Sequence, residues 1–204
     1  MQIWGIVVAA GAGRRFGGAK QHVELAGVPL WQRAVEVLRA GGVHDVVVVG
    51  DVPGGVPGGE RRRDSVAAGL AALPATATHV LVHDAARALA TPELVTRVIA
   101  ALTDGSDAVI PVVAVRDTLK RVDGTKVVET VDRSDLVAVQ TPQGFGRAVL
   151  EAAHRDDADD ATDDAALVER AGVVVTTVEG DPANLKVTYP EDLAVATALL
   201  AARL

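Results

Sequence analysis

Short β-branched runs recur through the first half of the chain, separated by longer amphipathic stretches. Residues 3–8 form a largely apolar run, which reads as a strand buried on both faces. Further strands read at 45–50, 79–83 and 108–115. Between the first two, Pro29 opens a helix to Leu38 with Leu30, Ala34, Val37 and Leu38 on one face, and Gly41-Gly42 stops it. Asp64 or Ser65 caps a second helix running to Leu73. A third starts with Thr91 as N-cap, Pro92 in the first helical position and Glu93 in the first turn, and runs to Leu102. Strand–helix alternation of this kind implies parallel strands flanked by helices, because each crossover helix packs back onto the sheet.

Residues 116–135 break the rhythm. Two short polar strands, 118–122 and 126–130, flank Asp123-Gly124, a hairpin signal. A polar hairpin with little core of its own is marginal alone, so it must pack on something, and a second subunit is one candidate. Helices follow at 146–154 and 163–171, then a strand at 173–178 and a final helix from Pro190. The fold class expected is α/β: a single Rossmann-like domain over residues 1–204, with a mostly parallel twisted sheet, helices on both faces and a protruding β-hairpin arm for dimerisation. Aromatics are only 2%, so Ala, Val and Leu must fill the core.

Twenty basic against 27 acidic side chains leave a net charge of −7. That argues against a protein that coats nucleic acid, while leaving room for a local basic pocket. The absence of Cys excludes disulfides, thiolate catalysis and Cys-based zinc sites. No stretch reaches the roughly 20 apolar residues that a membrane helix needs, and residues 1–10 lack a basic leader. The expectation is a cytoplasmic protein that binds neither membrane nor nucleic acid.

The most informative segment is Ala9-Ala10-Gly11-Ala12-Gly13-Arg14-Arg15-Phe16-Gly17-Gly18-Ala19-Lys20. It follows a buried strand, where open α/β sheets bind ligands. Small residues let backbone N–H groups close on phosphate oxygens, and Arg15 and Lys20 can neutralise them. A dinucleotide fingerprint fails at Phe16, and a P-loop fails at Gln21, which stands where Ser or Thr should follow the lysine. A second segment, Gly58-Gly59-Glu60-Arg61-Arg62-Arg63-Asp64-Ser65-Val66, places a Gly-Gly turn before a capped helix. In a third, Val82-His83-Asp84-Ala85-Ala86-Arg87, an acid just past a buried strand is a poor core residue and a good magnesium ligand. In a fourth, Lys186 sits between apolar neighbours in a strand-like segment, which suggests an inward-pointing cation. The run Asp156, Asp157, Asp159, Asp160, Asp163 and Asp164 fits no calcium loop and reads as a solvated face.

Taken in order, these motifs resemble the 2-C-methyl-D-erythritol 4-phosphate cytidylyltransferases. The resemblance includes Val115-Arg116-Asp117-Thr118, Val131-Asp132-Arg133, Gln140-Thr141-Pro142-Gln143, Thr162-Asp163 and Asn184-Leu185-Lys186-Val187-Thr188. It implies that a polyol phosphate attacks the α-phosphorus of CTP, with Mg²⁺ or another divalent cation required. It also implies roles. Ala9, Ala10, Gly11, Ala12 and Gly13 would wrap the nucleotide, with Gly59, Glu60, Ser65 and Ala85 as further contacts. Arg15, Lys20 and Lys186 would be catalytic. Asp84 would support the metal and the sugar hydroxyls, and Arg87 and Thr162 would touch the alcohol substrate. The arm would cross into a partner in a homodimer, so that Thr118, Arg133 and Thr141 complete the neighbour's site. A ribitol 5-phosphate cytidylyltransferase and a non-catalytic nucleotide-binding protein on the same fold remain alternatives.

Overall fold

The computed structural model describes residues 1–11, 13, 16–18, 22–155 and 161–203. The chain opens with strand β1 (Ile3–Val8), a small hairpin of β2 (Glu24–Leu25) and β3 (Val28–Pro29), and helix α1 (Leu30–Ala40). Strand β4 (Asp45–Val49), helix α2 (Arg62–Ala72), strand β5 (His79–Asp84), helix α3 (Pro92–Thr103) and strand β6 (Ala108–Ala114) continue the alternation. The arm follows as β7 (Leu119–Asp123) and β8 (Lys126–Val131), paired antiparallel with each other in a sheet of their own. Then come β9 (Val137–Val139), β10 (Gln143–Gly146), α4 (Arg147–Arg155), α5 (Asp164–Arg170), β11 (Thr176–Glu179) and α6 (Pro190–Ala201).

The main sheet runs β11-β6-β10-β5-β1-β4, with β9 beside β6. β1 pairs parallel with β4 and β5, and β11 with β6. β10 is antiparallel to both of its neighbours, and β9 is antiparallel to β6. The sheet is therefore mixed, where sequence alternation pointed to a mostly parallel one. The reason lies in β10, whose four residues Gln143, Gly144, Phe145 and Gly146 carry no β-branched signal. Its place is set by packing instead. Phe145 is fully buried, while a Cβ on Gly144 would lie 2.7 Å from Val98 Cγ1 and 2.8 Å from Leu102 Cδ1 of α3. Only glycine lets that helix approach so closely.

Helices cover both faces, as expected. On one, Val7, Leu81 and Val109 meet Ala34, Val35 and Leu38 of α1 and Leu94, Val95 and Val98 of α3. On the other, Ile6, Val80, Val82 and Phe145 meet Val66 and Leu70 of α2, Leu150 of α4 and Val168 of α5. The strand period of two puts alternate residues of β1 and β5 into different cores. Leu25, Leu30, Leu89, Val187 and Ala196 form a third cluster.

Local chemistry explains the ends of the helices. Thr91 caps α3 by accepting from Leu94 N at 3.3 Å, as its sequence position predicts. Neither Asp64 nor Ser65 caps α2. Arg61 is the N-cap, and Asp64, three residues on, accepts from its backbone N at 3.0 Å in a capping box.

Candidate active site

β5 and β4 lie on opposite sides of β1, so the chain reverses direction across the sheet there. Ligands bind in open α/β sheets at such a switch point, beyond the carboxyl ends of the strands. A cleft of about 670 Å³ opens at that place. One wall is the glycine-rich loop, with Ala9, Ala10, Gly11 and Gly13 lining it. Opposite stand Gly59, Glu60 and Ser65, with Asp84 and Ala85 at the end of β5 and Lys186 at the rim. Ala12, Arg15 and Lys20 of the sequence prediction lie outside the described residues, as do Ala19, Gln21, and Asp156, Asp157, Asp159 and Asp160 of the acidic run.

The two loops touch. A Cβ on Gly58 would lie 2.2 Å from Ala10 Cβ, so glycine is required where the walls meet. Ser65 Oγ accepts from Gly59 N at 3.2 Å and donates to Arg61 O at 3.3 Å. Its hydroxyl thus fixes the turn that presents Gly59 and Glu60 to the cleft.

Asp84 is the electrostatic centre. Its side chain is 11% exposed, with Lys186 Nζ 2.6 Å from Oδ2 and Arg62 Nε 3.2 Å from Oδ1. Burial alone would raise the Asp84 pKa, but Arg62 and then Lys186 outweigh it and hold the carboxyl well below its usual range. Arg62 also donates to Asp164 Oδ2 at 2.6 Å, and His154 Nε2 lies 3.0 Å from Asp164 Oδ1. Burial would weaken Arg62 as a base, yet Asp164 and Asp84 more than compensate and raise its pKa. Behind Asp84, Thr141 Oγ1 accepts from Asp84 N at 3.1 Å and lies 2.8 Å from His83 Nδ1. Desolvation pushes fully buried His83 down to about 4, so it is neutral near pH 7.

A recess of about 250 Å³ adjoins the cleft. Arg87, Thr141, Gln143 and Thr162 line it, and Arg62, Asp84 and Lys186 belong to both spaces. Arg87 donates to Asn184 O at 2.8 Å and to Val139 O at 3.1 Å, while its buried Nε has no partner among the described residues. Gln143 Nε2 donates to Asp163 Oδ2 at 2.7 Å, and Asp163 caps α5 by accepting from Ala166 N at 3.0 Å. Thr162 is thereby presented to the recess.

Three sequence expectations need correction. Lys186 stands in an irregular segment outside any strand, tied to the end of β5 by Val187 N donating to Ala86 O at 2.8 Å; its side chain is 42% exposed and turned onto Asp84. Thr141 is buried within this chain's own recess, away from the arm with which it was grouped, because its hydroxyl bonds Asp84 N. Asp164, read as part of a solvated face, is fully buried between Arg62 and His154. Thr118 and Arg133 are exposed and line neither space; Arg133 donates to Val115 O and, at 2.7 Å, to Arg116 O. Sequence reasoning missed Arg62 as a site residue, since three consecutive arginines do not reveal which one turns inward.

Comparison with known proteins finds relatives over nearly the whole chain. Residues 3–202 match the family model described as IspD: 2-C-methyl-D-erythritol 4-phosphate cytidylyltransferase. A Frankia casuarinae protein with that function in its name is 48% identical over 96% of this chain and 80% of its own length. One from Saccharopolyspora erythraea is 46% identical over 98% of this chain and all of its own length. The bifunctional enzyme IspD/IspF of Nitratidesulfovibrio vulgaris is 43% identical over 96% of this chain, which spans only 57% of that relative. Among solved structures, 2-C-methyl-D-erythritol 4-phosphate cytidylyltransferase from Thermus thermophilus is similar over the full length of both chains, with a TM-score of 0.84 and 36% identity.

Proposed function

The chain belongs to the 2-C-methyl-D-erythritol 4-phosphate cytidylyltransferase family, and from that premise we propose that it transfers the cytidylyl group of CTP to 2-C-methyl-D-erythritol 4-phosphate. The products are the CDP-alcohol and pyrophosphate, in the non-mevalonate supply of isoprenoid precursors. One observation carries the reading: Arg62, Asp84 and Lys186 are common to a large cleft and a smaller recess. Two polyanions brought together need cations where they meet.

In this reading CTP fills the cleft, with its base and ribose toward Gly59, Glu60 and Ser65 and its phosphates along Ala9 to Gly13. The alcohol phosphate fills the recess, against Arg87, Thr141 and Thr162. A phosphate oxygen of the alcohol forms a bond to the α-phosphorus, the bond from that phosphorus to the bridging oxygen breaks, and pyrophosphate leaves with the electron pair. The nucleophile is already an anion, so no general base is required. The work is positioning and charge stabilisation. Lys186 spans both phosphates, and Arg15 and Lys20 are assigned to the triphosphate by family resemblance.

The donor set at Asp84 suits Mg²⁺ held jointly with substrate. The carboxylate stays ionised and offers hard oxygens, and no cluster of three metal-binding side chains exists among the described residues. Mg²⁺ commonly takes one carboxylate and completes its shell with phosphates and water. When bound, the ion supplies positive charge to the phosphate oxygens.

The arm extends the proposal to a homodimer. Val122, Val127 and Val128 are each about 60% exposed on β7 and β8; Val122 and Val127 are cross-strand partners on one face and Val128 lies on the other, so both faces of the arm offer apolar side chains to a second copy. Thr118 and Arg133 would then serve the partner's recess. Among the described residues no helix is long and apolar enough to cross a membrane.

Pyrophosphate release from CTP, measured with methylerythritol phosphate and with ribitol 5-phosphate, tests the proposal. Preference for the first is expected. Preference for ribitol phosphate overturns the substrate assignment, and tight CTP binding without turnover on either would leave a non-catalytic nucleotide binder.

A further inference from the structure

We infer that Asp164, acting through Arg62, is a positioning residue that keeps the Arg62 guanidinium from closing over both oxygens of the Asp84 carboxylate in the shared part of the site. This rests on the transfer reaction proposed above. Arg62 begins α2 and Asp164 begins α5, 102 residues apart. The guanidinium is held unequally, at 2.6 Å from Asp164 and 3.2 Å from Asp84. Asp164 is fully buried and lines neither the cleft nor the recess, so it sets the place of Arg62 from behind. His154 Nε2, 3.0 Å from the second Asp164 oxygen, holds that carboxylate in turn.

The consequence follows from guanidinium geometry. An arginine fork closes readily on a carboxylate with two parallel hydrogen bonds. Tethered to Asp164, Arg62 reaches Asp84 through Nε alone. Oδ1 of Asp84 is then lightly held, while Oδ2 is paired with Lys186 Nζ at 2.6 Å at the seam of the two spaces. Without the tether, Arg62 is free to close on both oxygens and occupy the group on which the metal, the sugar hydroxyls and Lys186 converge. The effect does not need α5 to move, because that helix is anchored separately. Gln143 donates to Asp163 at 2.7 Å and accepts from Ala165 N at 3.3 Å.

The experiment is a double-mutant cycle on the full chain with CTP, Mg²⁺ and the alcohol phosphate, using Asp164→Asn, Arg62→Met and the combination. Asn keeps the size of the side chain and a hydrogen bond for His154. Asp164→Asn is expected to lower kcat by about 10- to 100-fold, with a smaller change in KM for CTP. In the Arg62→Met background the same change is expected to add less than about threefold, because its route is gone. Additive losses, or an Asp164→Asn enzyme with wild-type kcat, overturn the inference. If Asp164→Asn folds poorly, Arg62→Met with Asp164→Leu replaces the buried pair by apolar groups, a change that folds well in other proteins. A well-folded double variant whose turnover falls more than about threefold below that of Arg62→Met alone likewise overturns it, because Asp164 would then act by a route other than Arg62. Lack of turnover in the unmodified chain sinks the functional reading instead. The CTP dissociation constant then decides the positioning claim: Asp164→Asn must weaken CTP·Mg²⁺ binding, and an unchanged constant refutes it.

Discussion

Replacing Lys186 with Ala separates catalytic from structural electrostatics. The Lys186 side chain is 42% exposed, whereas its partner Asp84 is only 11% exposed. Two magnitudes compete. Removing one member of a buried ion pair costs about 3–5 kcal/mol, while an exposed pair contributes about 1 kcal/mol or less. The exposed-pair figure governs here. Asp84 keeps Arg62 at 3.2 Å, and loss of the lysine at the rim lets water reach the freed oxygen. A loss of about 1 kcal/mol in a chain of this size lowers Tm by about 2–4 °C. The kinetic cost is larger, because no water can take the lysine's place between two phosphates as they approach. Losing one preorganised donor of this kind costs about 10²–10³ in kcat. Thermal unfolding without ligand, beside steady-state pyrophosphate release, measures both. Turnover within about tenfold of the unmodified enzyme, or a Tm fall beyond about 8 °C, would refute the assignment by making Lys186 a structural residue.

Three further outcomes follow from the same geometry. His83 is buried and neutral, with its pKa pushed down to about 4 from the usual 6.5. The unfolded chain therefore binds the proton more tightly, and about 3 kcal/mol of stability, complete above pH 6.5, is lost as pH falls toward 4; urea titrations of metal-free protein should show that slope, and His83→Gln should flatten it. Phe145 is fully buried in the antiparallel strand, so Phe145→Ala should cost about 3–5 kcal/mol by denaturant unfolding, and a cost below about 1 kcal/mol would place β10 outside the core. Val127→Lys with Val128→Lys should convert a dimer to monomer in sedimentation, since both side chains are more than 60% exposed on the arm, and an unchanged mass would remove the arm from the interface.

What could be read from the chain was whatever short-range chemistry controls. Thr91, Pro92 and Glu93 mark the start of α3, and Thr91 does cap it. The β-branched runs mark β1, β4, β5 and β6, and Asp123-Gly124 marks the turn of the arm. The glycine-rich loop follows β1 and Asp84 ends β5, at the carboxyl ends of the strands where the switch-point rule places a ligand. What escaped is set by partners distant in sequence. β10 has almost no strand signal and exists because β5 and β6 leave a gap that Gly144 and Phe145 fill. β11 begins at Thr176 rather than at 173 because only residues 176–179 find partners on β6. The burial of Asp164 depends on Arg62, and no periodicity within 163–171 announces an arginine supplied by another helix.

The same distinction explains how a chain with a net charge of −7 can favour polyanions. At physiological ionic strength charges farther away than about 8 Å are largely screened. Most of the 27 acidic side chains therefore act on solvent rather than on the cleft. Among the residues lining the two spaces the balance is different: Arg61, Arg62, Arg87 and Lys186 stand against the carboxylates of Glu60, Asp84 and Asp163. Asp164 also draws on Arg62, but from behind the site and out of reach of a ligand. Its position gives the buried guanidinium a closer carboxylate than Asp84, at 2.6 Å against 3.2 Å, so that Asp84 is not its sole counter-charge. The arrangement of these few side chains, rather than the sum over the chain, decides which ligands the site can hold.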